Sequence, residues 1–94
     1  MSYSSEYYFE VKQKFIDRLE DLPPEIQERI KGKLAEFRMQ VNTYGIDPRQ
    51  HNNTKYIAND KVWRLRIGDH RVFFDLFDNT ISILTIEHRK KAYK

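Results

Sequence analysis

Six apolar residues, Ile26, Ile30, Leu34, Phe37, Val41 and Tyr44, recur in steps of four, four, three, four and three. With 3.6 residues per helical turn, that spacing keeps all six on one face, so the stretch predicts a long amphipathic helix with one buried side. Pro24 suits its first turn, where the missing N–H has no partner to lose, and Glu25 and Glu28 stand near the positive end of the helix dipole. Gly32 lies inside it at a cost of about 1 kcal/mol relative to Ala. Gly45 is placed to cap its end, and Asp47-Pro48 opens a loop. Upstream, Phe15, Ile16, Leu19 and Leu22 form a shorter stripe that Pro23-Pro24 stops, because proline lacks a donor and disfavours helix in the residue before it. Two helices joined by so tight a link form an antiparallel hairpin, to which a structural role is assigned.

The remaining periodicity is that of strands. Tyr7, Phe9 and Val11 alternate with Tyr8, Glu10 and Lys12, which predicts a short N-terminal strand with one buried side. Residues 48–60 are polar and predict a loop, with a short strand segment near Tyr56. Trp63, Leu65 and Ile67 then alternate with Arg64 and Arg66, and Gly68-Asp69 makes a turn. Arg71, Phe73, Asp75 and Phe77 alternate with Val72, Phe74 and Leu76; after a turn at Asp78-Asn79, Ile81, Ile83 and Thr85 alternate with Ser82, Leu84 and Ile86. Three consecutive strands with short turns predict an antiparallel meander. Its helix-facing side is expected to carry Val72, Phe74 and Leu76, leaving Arg71, Phe73 and Asp75 on the other. The fold class is therefore α+β: an N-terminal strand and an antiparallel helix hairpin packed on one face of an antiparallel sheet, in a single domain over residues 1–94.

Charge separates the two parts of the chain. Residues 1–61 hold ten Lys and Arg against ten Asp and Glu, whereas residues 62–94 hold seven against four, so the whole net charge of +3 sits in the last third. A localised basic surface suggests an anionic partner, set against the alternative of a merely solvated face. Cysteine is absent, which excludes disulfides and thiolate metal sites. His51 and His70 form no recognised ligand set with the carboxylates, so neither a metal nor any other cofactor is expected. The polar start and the lack of an apolar run of about twenty residues predict a soluble cytoplasmic protein without membrane contact.

The segments Trp63-Arg64-Leu65-Arg66-Ile67-Gly68-Asp69-His70-Arg71-Val72-Phe73-Phe74 and Ile86-Glu87-His88-Arg89-Lys90-Lys91-Ala92-Tyr93 resemble the hallmark of the RelE/ParE superfamily of toxins: an aromatic-R-L-R-aliphatic-G-D/N-aromatic-R pattern, then H-R and a Tyr four residues on. The order of elements is similar too. The resemblance implies the toxin of a type II toxin-antitoxin pair, bound by a cognate antitoxin in a hetero-oligomer. RelE-like members cut messenger RNA in the ribosomal A site; ParE-like members poison DNA gyrase and are not nucleases. An inactive member that only binds its antitoxin is a third expectation.

Metal-free RNA cleavage by 2′-hydroxyl attack needs a base, cations around the phosphorane and an acid for the leaving oxygen. The resemblance implies Arg71 and Arg89 as the cations and Tyr93 as base, acid or stacking platform. Arg64, a further catalytic candidate, stands where RelE-like nucleases often have lysine; the arginine keeps the charge but weakens a proton-transfer role, because it does not give up its proton. Further RNA contacts are expected at Lys55, Arg66, Phe73, His88 and Lys90. For Arg66 the alternative is an ion pair with a carboxylate such as Asp75, for His88 and His70 a packing role, and for Phe73 a core position.

Overall fold

The computed structural model describes residues 6–92. Strand β1 (Tyr8–Val11) leads into helices α1 (Gln13–Glu20) and α2 (Pro24–Asn42). A 3-10 turn at Pro48–Gln50 precedes β2 (Thr54–Ile57), β3 (Val62–Ile67), β4 (His70–Phe77), β5 (Thr80–His88) and a short terminal helix α3 (Arg89–Ala92). The strands form one five-stranded sheet in the order β1-β5-β4-β3-β2. Strands β2 to β5 are antiparallel, as the alternation predicts, but β1 pairs with β5 in parallel, so the sheet is mixed rather than wholly antiparallel. The helix hairpin between β1 and the meander returns the chain along the sheet and makes the parallel pairing possible. Asn42, the last residue of α2, clasps β1 into place: its Oδ1 accepts from the Tyr7 N–H at 2.8 Å and its Nδ2 donates to the Tyr7 carbonyl at 3.0 Å.

The core lies between the helices and one sheet face. Ile30, Phe37 and Val41 of α2 and Phe15 and Leu19 of α1 bury against Leu65, Ile67, Val72, Phe74, Ile81, Ile83 and Ile86. Each such side chain contributes about 1.5–3 kcal/mol by leaving water. Phe37 is the hub: its ring centroid is 6.2 Å from Phe9 and 5.8 Å from Phe74. Val72, Phe74 and Leu76 face the helices as expected.

Three local expectations need correction. Tyr44 was placed in the α2 stripe, but the helix ends at Asn42, Gly45 turns the chain at φ +71°, and Tyr44 is 67% exposed. Val11, expected on the buried side of β1, is 49% exposed on an edge strand. In β5 the buried set is Ile81, Ile83 and Ile86, because a bulge separates the pairs Phe74–Ile83 and Phe73–Thr85. The extra residue, Leu84, shifts the alternation by one, so Ile86 enters the core and Thr85 moves to the face away from the helices.

Candidate functional site

Register places the predicted basic residues on the sheet face opposite the helices. One rung across it reads Lys55, Arg64, Phe73, Thr85, and the next reads Arg66, Arg71, Glu87. Strand alternation is the cause: each of these residues is the out-of-phase neighbour of a core residue, Arg64 of Leu65, Arg71 of Val72, Phe73 of Phe74. Lys55 and Arg66 are exposed and, among the described residues, form no ion pair. Arg66 does not reach Asp75, whose Oδ1 instead accepts from the Leu76 N–H at 2.9 Å. Phe73 is half-buried, neither a core ring nor a free platform, and lies between Arg64 and Thr85 in register. The Thr85 hydroxyl is buried and, among the described residues, has no hydrogen-bond partner.

Arg71 sits differently from the expectation of an open phosphate clamp. It is 6% exposed, and its Nη1 donates to the carbonyls of Gly68 at 2.9 Å and His70 at 3.0 Å. The guanidinium thereby fixes the β3–β4 turn, where Gly68 adopts φ +58°, a conformation that disfavours other residues. The same turn holds Arg89. The Arg89 N–H donates to the Asp69 carbonyl at 2.8 Å, and its Nε lies 3.7 Å from the Asp69 carboxylate. Residues 68–70 thus gather the two arginines that the family resemblance singles out, one beneath the turn and one beside it. Lys90 and Lys91 follow on α3, both exposed.

His88 is not on this face. It pairs with His70 in register on the side of Val72 and Ile86, and the two rings meet edge to face with centroids 5.4 Å apart. They line a depression with Arg18 of α1, Asp21 at the C-cap of that helix and Lys91 of α3, in which Arg18 pairs with Glu87 at 3.2 Å. The His88 Nδ1 accepts from the Lys90 N–H at 3.3 Å and so caps α3. Burial, and secondarily the adjoining His88, holds the His70 pKa below the ordinary histidine value, with Asp69 opposing. His51 lies on the helix side as well, its ring 5.1 Å from Phe37, and its pKa is also lowered by burial. Tyr93, the expected acid or base, lies outside the described residues. No group of three or more His, Cys, Asp or Glu that could hold a metal ion occurs among the described residues.

Sequence reasoning missed Asp69 as the anchor of Arg89, treating it as a turn residue alone. The available signal was a carboxylate in a turn preceding an arginine-led helix. It also treated the hairpin as structural throughout, although Arg29 and Lys33, four apart on the polar side of α2, line a groove with Arg66. Their i, i+4 spacing alongside the Ile30 and Phe37 stripe was legible.

A family model for the ParE toxin of the type II toxin-antitoxin system, parDE, matches residues 9–93. The chain belongs to this toxin family. Its fold is similar to that of a chain of the RelB-RelE antitoxin-toxin complex from Methanococcus jannaschii, with 22% identity and a TM-score of 0.65 over 89% of this chain and 94% of that one. It is also similar to a chain of the RelBE2 complex of Mycobacterium tuberculosis, at 19% identity and TM-score 0.61 over 88% and 98%. A third likeness is to the archaeal RelE-RelB complex of Pyrococcus horikoshii OT3, at 23% identity and TM-score 0.58 over 89% and 96%. At these identities the likenesses establish the α+β fold, and function rests on the site. No curated protein matches the chain significantly. Among the described residues no helix is long and apolar enough to cross a membrane.

Proposed function

We propose that this toxin is a ribosome-dependent endoribonuclease that cleaves messenger RNA in the A site by 2′-hydroxyl attack, acts in the cytoplasm, and is held inactive by a cognate antitoxin. The observation that carries this reading is the cationic face: Lys55, Arg64 and Arg66 on adjacent strands, next to the turn that gathers Arg71 and Arg89. Such a face binds phosphate before chemistry and stabilises the added charge of the phosphorane during it. Arg64 and Arg66 take the non-bridging oxygens. Arg89, exposed and oriented through its Nε by Asp69, meets the developing charge with its remaining N–H groups. Arg71 acts from below by holding the turn that positions Arg89, and Tyr93 is the proposed proton-transfer group. The 2′-oxygen attacks phosphorus, the 5′-oxygen leaves with a proton, and the products are a 2′,3′-cyclic phosphate and a 5′-hydroxyl end. The antitoxin partner is supported by the solved relatives being complexes of RelE with RelB. The test is primer extension on a message carried by translating ribosomes after addition of the purified protein. New 5′ ends within A-site codons support the proposal, and intact message at high protein concentration rejects it.

A second reading, a gyrase poison without nuclease activity, is favoured by one specific observation. Arg71 is buried and bonded to turn carbonyls rather than presented to solvent. The arginine at position 64 and the family description point the same way. A supercoiling assay in which gyrase inhibition survives Arg89→Ala and Tyr93→Ala would select it.

A further inference from the structure

A second cationic surface lies on the helix side of the sheet. A groove of about 250 Å³ runs between α2 and β3, with Arg29 and Lys33 on its helix wall and Asn53 and Arg66 on its strand wall. On the open face a shallower depression is lined by Asn53, Lys55, Arg64 and Arg66. Arg66 and Asn53 therefore line both. Strand pairing explains this: β2 starts at Thr54, opposite Leu65, so β3 loses its outer neighbour at Arg66, and the bond from the Arg66 N–H to the Asn53 carbonyl, 2.9 Å, is the last link. Beyond it the sheet edge is a notch through which the two depressions meet. Arg29 reaches the rim of the β3–β4 turn, since a Cβ on Gly68 would sit 3.9 Å from its Nη1.

The charges around the notch are predominantly cationic. Among the described residues neither Arg29 nor Arg66 forms an ion pair, and the groove's one carboxylate, Glu36, lies 3.6 Å from Lys33. Apolar sockets are lacking, because Phe37, Leu65 and Ile67 at the floor are 2–5% exposed and already spent on the core. An amphipathic helix docks through apolar anchors. A polynucleotide needs cations and polar groups along a path, and those are what the track offers.

We infer that the phosphodiester backbone of a single-stranded RNA crosses the sheet edge at Arg66 and continues into the groove walled by Arg29 and Lys33. This rests on the nuclease reading of the open face and extends it around the edge, giving the protein a grip on message outside the cleavage position. The groove contributes affinity independent of base sequence, because every contact is to phosphate.

The test is fluorescence anisotropy of the purified protein with a labelled single-stranded RNA oligonucleotide over a range of KCl concentrations. For single strands the slope of log K against log salt is about −0.7 per neutralised phosphate, so Arg29→Gln with Lys33→Gln should reduce its magnitude by about 1.4. The open-face pair Lys55→Gln with Arg64→Gln is measured in parallel, with polyglutamate as a competitor. All four side chains are on the surface, and thermal melting checks that the variants remain folded. A reduced slope for the α2 pair bears out the inference. An unchanged slope for the α2 pair with a reduced one for the open-face pair overturns it while leaving the nuclease reading intact. Absence of RNA binding by the unaltered protein overturns both. Loss of polyglutamate binding, with RNA binding retained in the α2 variant, would assign the groove to an acidic peptide and likewise overturn it.

Discussion

Arg89 is held to Asp69 twice, by a main-chain bond of 2.8 Å and a side-chain approach of 3.7 Å. The first contact fixes where α3 begins, and the second keeps the guanidinium beside the β3–β4 turn. Both partners of the side-chain pair are more than half exposed, and exposed pairs of this kind are worth about 0–1 kcal/mol. Asp69→Ala should therefore leave the melting temperature nearly unchanged while lowering cleavage, because Arg89 loses the contact that orients it. Cleavage equal to that of the unaltered protein would show that the pair does not position Arg89.

Arg71 should behave in the opposite way. Its substitution by Ala removes the guanidinium donor from the part-buried bonds to the Gly68 and His70 carbonyls, and hydrogen bonds from a charged donor contribute about 1.5–3 kcal/mol. Arg71→Ala is expected to lower the urea midpoint measurably as well as to abolish activity, and Arg71→Lys to recover part of the stability without the second carbonyl bond. A variant with full stability and no activity would place Arg71 on the substrate instead of beneath the turn.

Gly32 offers a test of the helix. It lies in the interior of α2, is exposed, and has nothing within 4 Å of where a Cβ would stand. Gly32→Ala should stabilise the protein by about 0.5–1 kcal/mol, raising the melting temperature by a few degrees in calorimetry. Gly68→Ala, at φ +58°, should do the reverse.

Two histidines set the acid limb of stability. The pKa values of His51 and His70 are lowered in the fold, chiefly by burial. His51 also accepts a bond at Nδ1 from the Asn53 N–H, 3.1 Å, while its Nε2 lies 2.6 Å from the Gln40 Oε1, an arrangement that suits the neutral ring. The unfolded chain takes up protons first, so the stability associated with the neutral rings is fully present above about pH 6.5 and is lost as pH falls below that through the lower folded values. Melting temperatures should decline from pH 7.5 to 5.5, and His51→Gln with His70→Gln should flatten that decline. An equally steep decline in the double variant would assign it to other groups.

Much of this architecture was legible because it is periodic. The α2 stripe and the alternation in β3 and β4 each report a face directly, and Pro23-Pro24 and Gly45 mark the helix limits. Tyr44 was misplaced because a three-residue step continues the stripe past Asn42, where the chain has already turned. The bulge at Leu84 was hidden because Ile86 and Thr85 are both compatible with a strand interior, and the choice between them is made by packing against Val72 and Phe73. Parallel pairing of β1 with β5 depends on partners some seventy residues apart, which local pattern does not encode. Within the site, the rung of Lys55, Arg64 and Phe73 follows from inter-strand register. The burial of Arg71 runs against what its charge alone suggests.

Nuclease and gyrase-poison action are separated most directly by A-site cleavage of a ribosome-bound message by the purified protein and by its Arg64→Ala and Arg89→Ala variants, with gyrase supercoiling followed alongside. Loss of one transition-state donor corresponds to about a hundred- to thousand-fold in rate. Ribosome-dependent cleavage by this site predicts ends bearing 2′,3′-cyclic phosphate, a loss of that size for Arg89→Ala, a smaller one for Arg64→Ala, and undisturbed supercoiling. Uncut message together with inhibited supercoiling would contradict it.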